Sequence, residues 1–173
     1  MRDDRGVWRK ALITVPAIVV IGSLIGLMSN SGLSNGWYAP LDKPAFQPAG
    51  WVFGAVWTAL YTMMGIALAV ILNEAKSLER RRALGLFLTQ LALNFAWSPV
   101  FFGGGMIDAG FLIIVAMIGL LILAMIAFWR IRPLAGALLL PYLAWLCLAA
   151  ALNFETGRLN PGADRAPLGI TGA

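Results

Sequence analysis

The chain has 173 residues, 60% of them hydrophobic and 12% charged, with a net charge of +5 and a mean hydropathy of +0.82. A soluble domain carries about 25% charged residues, so there is too little polar surface here to cover a water-soluble globule, and a lipid bilayer is the expected solvent. With no histidine and a single cysteine, Cys147, the chain lacks the means for His-ligated zinc or haem, Ser-His triads, imidazole acid–base catalysis, Cys-cluster metal sites and internal disulfides.

Residues 1–10 form a basic N-terminal segment with Arg2, Arg5, Arg9 and Lys10. The first apolar run, Ala11–Met28, is longer than a signal-sequence core, and no small-x-small cleavage site precedes Trp37. It is read as a span. Pro16 should free the carbonyl of Leu12. Gly22-Ser-Leu-Ile-Gly26 reads as a close-packing face for another helix, from this chain or a second one. Between this run and the next lies WYAPLDKPAFQPAGW, Trp37–Trp51. Pro40, Pro44 and Pro48 lack amide donors and exclude a regular helix. A loop this long between helices is unusual, and it is read as a lid folded over the mouth of a helix bundle. The competing reading is an aromatic belt resting at headgroup level.

The second run, Trp51–Leu72, carries Phe53, Trp57 and Tyr61 four residues apart, hence on one helical face. After the basic turn at Glu79–Arg82 the third run, Ala83–Phe102, aligns Gln90, Asn94, Trp97 and Phe101. The fourth is Ala109–Trp129. The fifth, Leu134–Phe154, aligns Tyr142, Trp145, Ala149 and Asn153, and Pro141 within it predicts a kink at the carbonyl of Ala137. Each run approaches the roughly 20 residues needed to cross about 30 Å of hydrocarbon. The tail, residues 161–173, is rich in Gly, Pro and Ala and is read as disordered.

The fold class that follows is all-α: an integral membrane bundle of five transmembrane helices with a long lid loop between helices 1 and 2. Ten basic residues (Arg2, Arg5, Arg9, Lys10, Lys76, Arg80, Arg81, Arg82, Arg130, Arg132) fall on one side and three (Lys43, Arg158, Arg165) on the other. In an inner membrane this bias makes the N-terminus cytoplasmic. Basic residues flanking apolar runs are a topology signal, so no nucleic-acid partner is expected. The aromatic and amide stripes of three helices, brought together, would line an apolar cavity with a few convergent polar atoms, the usual make-up of a small-molecule pocket. Gln90 taken alone is read as an interhelical hydrogen-bonding residue. Asn94, Trp57 and Trp145 lie deep in their runs and are read as pocket residues.

The stretches WYAPLDKP, WVFGAVWTALY, ALNFAWSPVFF and PYLAWLCLAAALNFETGRLN occur in the order and spacing of the TspO/MBR (tryptophan-rich sensory protein/translocator protein) family, which the chain resembles from the first span to Asn160. The resemblance implies a five-helix domain over residues 11–160, commonly a homodimer, with the first loop covering a pocket for porphyrins, sterols or benzodiazepine-type compounds. No cofactor and no metal are expected. On this resemblance Trp57 and Trp145 match a pair implicated in light-dependent porphyrin degradation, Asn94 matches a pocket-facing asparagine, and Trp37 and Tyr38 match the loop's WY pair. The ligand-binding set is then Trp37, Tyr38, Phe53, Trp57, Tyr61, Gln90, Asn94, Trp97, Tyr142 and Trp145. Ala39 stands where many relatives have an acidic or amide residue, and Ala45-Phe46 where they often have Trp. A sterol motif proposed for animal relatives lacks its tyrosine here, where Leu152, Phe154 and Arg158 stand.

Two classes of function are expected to compete. In the first, a receptor or sensor captures a porphyrin on its indoles, with Lys43 or Arg158 meeting the propionates. In the second, an enzyme degrades protoporphyrin photo-oxidatively, with Trp57 and Trp145 as its catalytic residues. A porphyrin transporter is a further alternative, weakened by the lack of ionisable residues in the spans and of an inverted repeat. A structural subunit of a larger membrane complex is the least specific reading.

Overall fold

A computed structural model describes residues 4–173. Arg2, counted above among the basic residues, lies outside the described residues. The described residues are helical throughout their apolar runs: α1 Asp4–Met28, α2 Gly50–Leu72, α3 Leu78–Ser98, α4 Ile107–Ile131, α5 Pro133–Ala137 and α6 Leu140–Leu159. Five helical stretches are long and apolar enough to cross a membrane, the last being α5 and α6 taken together. The basic N-terminal residues Arg5, Arg9 and Lys10 belong to the opening turns of α1 rather than to a separate segment.

Local chemistry explains most boundaries. The Ser77 hydroxyl caps α3 by accepting from the Arg80 amide at 3.1 Å, and Glu79 places negative charge in the first turn, where the helix dipole favours it. At its other end α3 runs into Pro99, and the chain widens into a π-helical turn, Pro99–Gly103. Such turns are rare and cluster at functional sites. This one presents Phe101 and Phe102 to the loop. Pro141 does not kink a continuous fifth helix. The helix stops after Ala137 and restarts at Leu140, leaving Pro141 in the first turn of α6, where its missing amide costs nothing.

The helices alternate in direction around a central space. Lys10 Nζ donates to Asn73 Oδ1 at 2.6 Å, tying the start of α1 to the residue after α2, while Phe87 of α3 stacks on Phe128 of α4 with ring centroids 5.3 Å apart. Hydrocarbon gives helices no hydrophobic reason to associate, so close packing and hydrogen bonds must hold them. The closest approach is between α1 and α2. A Cβ on Gly65 would come within 2.6 Å of the Val15 Cα, and Thr14 Oγ1 donates to the Gly65 carbonyl at 2.7 Å. The Gly22–Gly26 face is used within the chain: Gly22 receives the Tyr61 ring of α2, which any side chain there would overlap. The outward faces carry exposed Leu12, Ile13, Leu24 and Leu27 on α1 and Leu112, Val115 and Leu123 on α4.

The tail differs from its expected disorder. Residues 161–173 hold no helix or strand, yet Asp164 and Thr171 are buried and hydrogen-bonded to the start of α4. Their partner is Asp108, whose position gave no hint from the tail's own composition.

Replacing Gly65 with alanine should therefore destabilise the protein by about 1–3 kcal/mol through overpacking, despite alanine's better helix propensity. Thermal unfolding in detergent measures this. An unchanged or raised midpoint would mean that α1 and α2 are not held at this contact.

Candidate ligand cavity

A cavity of about 710 Å³ lies between α1, α2, α3 and α6, with Ile114 and Met117 of α4 at its back. This volume falls in the roughly 300–1,000 Å³ range of small-molecule sites. Its walls are aromatic because three helices turn the stripes legible in the sequence towards one another. Phe53 and Trp57 come from α2 and Trp145 from α6. Trp57 and Trp145 meet edge to face with centroids 6.4 Å apart, Phe53 meets Trp145 at 5.5 Å, and Trp57 lies 5.1 Å from Tyr61. Trp97 stacks on Phe101 at 5.1 Å on the α3 side.

Beneath these rings sits a polar node. Tyr61 Oη donates to Asn94 Oδ1 at 2.9 Å, and Asn94 Nδ2 in turn donates to Tyr142 Oη at 2.7 Å. Gln90 Nε2 donates to the same Tyr142 oxygen. Tyr142 and Gln90 have no exposed surface at all. The node links α2, α3 and α6, and the Tyr142 hydroxyl faces the Met117 sulfur of α4 at 3.9 Å.

Of the ten sequence-derived ligand-binding residues, Tyr38, Phe53, Trp57, Tyr61, Asn94, Trp97 and Trp145 line the cavity. Gln90 and Tyr142 lie behind the lining, supporting Asn94 from below. Trp37 is turned away from the cavity. Its indole N–H donates to the Ala163 carbonyl of the tail at 3.1 Å and its ring packs against Phe101. A WY pair in an irregular loop gives no periodicity from which to read the two directions.

The loop residues 29–49 close over the same end of the bundle. Asn35 Oδ1 accepts from the amides of Trp37 and Tyr38, both at 3.0 Å, and its Nδ2 donates to the Phe102 carbonyl of the π turn at 3.2 Å. Tyr38 Oη donates to Gln47 Oε1 at 2.9 Å. Burial pushes the Tyr38 phenol up to about 12, against the Gln47 hydrogen bond, so it remains a neutral donor at physiological pH. Gln47, Ser31, Ser98, Asn153 and Thr156 also line the cavity, and Ser31 and Ser98 hydrogen-bond across its rim. Gln47 and Ser31 lie in the irregular loop and carried no helical spacing to mark them, whereas Ser98 follows Asn94 by four residues on α3. Asn153 shared the α6 stripe.

Lys43 and Arg158 do not face the cavity as charged partners for a ligand. Lys43 Nζ donates to the carbonyls of Tyr38 at 2.6 Å and Ala39 at 3.3 Å, and lies 4.3 Å from the Tyr38 ring centre. Burial lowers its pKa, opposed by the neighbouring Asp42 carboxylate. Arg158 is paired with Glu155 one turn back on α6. Both ammonium and guanidinium are thus engaged by nearer groups. Two lining residues keep a buried polar atom with no hydrogen-bond partner among the described residues: Trp97 Nε1, a donor, and Asn153 Oδ1, an acceptor.

The node should be costly to cut. Tyr142→Phe leaves the amide donors of Gln90 and Asn94 without their acceptor, at about 1–3 kcal/mol for each buried group left unpaired. Thermal unfolding of the purified variant should show a clear loss. A midpoint equal to wild type would mean the node is not a structural anchor.

The sequence model of the TspO/MBR family matches residues 13–159. The human Translocator protein is 36% identical over 144 residues, covering 82% of this chain and 85% of its own length. The Tryptophan-rich protein TspO of Chlorobaculum tepidum is 43% identical over 126 residues, covering 72% of this chain and 80% of its own. The Tryptophan-rich sensory protein of Cereibacter sphaeroides is 38% identical over 124 residues, covering 72% and 77%. With five spans around one aromatic cavity and a family match along nearly all of the helical bundle, this chain belongs to the TspO/MBR family of membrane proteins.

Proposed function

We propose that the protein is a membrane receptor that binds a porphyrin or related flat amphipathic ligand in the cavity beneath the 29–49 loop and thereby senses or regulates tetrapyrrole level. The observation that carries this reading is the set of indole and phenyl faces of Phe53, Trp57 and Trp145 converging above the Tyr61–Asn94–Tyr142 node. A flat conjugated ring gains dispersion and stacking energy on such walls, and a few fixed polar atoms orient it. With Lys43 and Arg158 engaged elsewhere, the polar edge of the ligand is assigned to Trp97 Nε1, Asn153 Oδ1 and the hydroxyls at the rim. The unpaired donor on Trp97 and acceptor on Asn153 favour a ligand that offers the complementary groups, since a buried polar atom left unsatisfied costs about 1–3 kcal/mol.

The loop acts in this reading as a lid. Its prolines restrict the open ensemble, so ordering it over a ligand costs less conformational entropy. The loop end is taken as the face away from the cytoplasm if the host is an inner membrane, following the charge bias, and the protein as a homodimer by family resemblance. The names of the relatives, sensory protein and Translocator protein, favour sensing and transport respectively. A cavity wall without Asp, Glu, Lys or Arg among the described residues favours sensing.

Photo-oxidative degradation of the ligand is the second reading. It is favoured by one observation: Trp57 lies within aromatic contact of Trp145, Tyr61 and Tyr142, a cluster of oxidisable rings at the cavity wall.

Titration of the purified protein with protoporphyrin in the dark, followed by tryptophan fluorescence, should give saturable quenching. Trp145→Phe should raise the Kd roughly three- to tenfold, the scale of one aromatic contact. Linear, non-saturating quenching in both proteins would contradict the receptor reading. A defined product appearing only under illumination, and lost in Trp57→Phe, would move the assignment to an enzyme.

Loosening the lid gives an independent check. Pro44→Gly should speed protoporphyrin dissociation several-fold, in line with the roughly 0.4–1 kcal/mol effect of such changes on the open ensemble. Identical dissociation rates would count against the lid.

A further inference from the structure

We propose that residues 161–173 form a strap, anchored on Asp108, that holds the 29–49 loop down on the cavity mouth. The segment lies beyond the family match, which ends at residue 159, and nothing in the cavity's own lining requires it.

The anchor is a buried carboxylate at the first turn of α4. Asp108 Oδ2 accepts from the amides of Leu168 at 2.7 Å and Ile170 at 3.2 Å, and Oδ1 from the amide of Thr171 at 2.8 Å and its hydroxyl at 2.6 Å. Four donors fill the accepting capacity of one carboxylate, and bonds to a charged acceptor are stronger than neutral ones. The exchange is mutual, because Asp164 Oδ2 accepts from the Asp108 amide at 2.7 Å and so caps α4, which has no cap from its own chain start. Thr171 lies so close over Gly157 of α6 that any side chain at that position would overlap it.

The other end of the segment grips the loop. Ala163 gives its carbonyl to the Trp37 indole N–H, and the Arg165 amide donates to the Gly105 carbonyl at 3.0 Å. Gly105 has φ +66, and a Cβ there would crowd both Arg165 and Trp37. One turn earlier, Asn160 and Asp42 pair reciprocally: the Asp42 amide donates to Asn160 Oδ1 at 2.7 Å and Asn160 Nδ2 to the Asp42 carbonyl at 2.9 Å. The strap therefore ties the loop at Trp37, next to Tyr38, the loop aromatic that lines the cavity, while Asn160 just ahead of the strap holds Asp42. Releasing Thr171 from Asp108 removes the backing that holds Ala163 against Trp37, and Tyr38 goes with its neighbour.

Hydrogen exchange of amides 37–47 tests this in the ligand-free protein in detergent. Truncation after Asn160 removes the acceptor of the Trp37 indole together with its backing and should raise exchange there several-fold, the scale of one lost hydrogen bond. Thr171→Val, which removes one of the four donors to Asp108 and keeps the chain length, should raise it in the same segment by a smaller factor. Unchanged protection in α2, α3 and α6 shows that the bundle is intact. If the truncated chain loses that protection, Thr171→Val alone decides. Wild-type exchange in the loop would overturn the strap. The consequence for ligand rests on the receptor reading above, and the two fail separately. Faster loop exchange with unaltered protoporphyrin dissociation supports the strap and counts against the cavity as the porphyrin site. Faster dissociation with wild-type loop exchange overturns the strap.

Discussion

The hydrogen-bonded node around Tyr142 is the constraint on which the cavity depends. In a bilayer the apolar surfaces of neighbouring helices gain nothing by leaving lipid for one another. A buried phenol and two buried amides, by contrast, have no partners in hydrocarbon and must find them in the protein. Tyr142 on α6, Gln90 and Asn94 on α3 and Tyr61 on α2 hydrogen-bond to one another, with Met117 of α4 against the hydroxyl and Gln90 Oε1 left without a partner among the described residues. This fixes four helices at one level. On the loop side of that level the same helices turn Phe53, Trp57, Trp97 and Trp145 inwards, and the space between them is the cavity. The close α1–α2 contact at Gly65 and Val15 seats the fifth long helix beside this frame.

The parts legible in the sequence are those governed by periodicity. Five apolar runs without charge have few alternatives to spanning helices. Once they are helices, residues four apart share a face, so the Phe53–Trp57–Tyr61, Asn94–Trp97 and Trp145–Asn153 stripes could be aimed at a common space. Depth along the bundle was harder to read. Gln90 and Tyr142 share those stripes but lie one turn too deep to touch the cavity, and only the three-dimensional pairing on Asn94 reveals their supporting role. Pro141 was read through its effect on a continuous helix. The chain instead restarts the helix around it, which places the missing amide in the first turn, where no intrahelical bond is lost.

Irregular segments were least legible, because their order is set by partners distant in sequence. The glycines and prolines of residues 161–173 argue for disorder on composition, and what orders them is Asp108, some sixty positions away. The available signal was Asp108 itself. An acidic residue at the edge of a hydrophobic span needs a partner, and the chain offered no base beside it. Trp37 and Lys43 follow the same logic. One spends its indole donor on the tail and the other its ammonium on loop carbonyls, so neither remains for a ligand.

These features make the loop end of the molecule one connected structure. The π turn brings Phe101 and Phe102 against Tyr38 with centroids 5.8 and 5.1 Å away, Asn35 ties the loop to that turn, and the tail backs Trp37 from outside. A ligand that displaced Tyr38 would strain all three. On the proposed receptor reading, this is how occupancy of a cavity inside the membrane would be reported at the surface. The proposed reading seats a flat ligand in this cavity. It is tested most directly by filling the space with Ala149→Phe, since Ala149 lines the cavity and lies outside the node. Dark protoporphyrin binding should be lost while the thermal midpoint stays close to wild type; wild-type affinity in that variant would contradict ligand binding at this site.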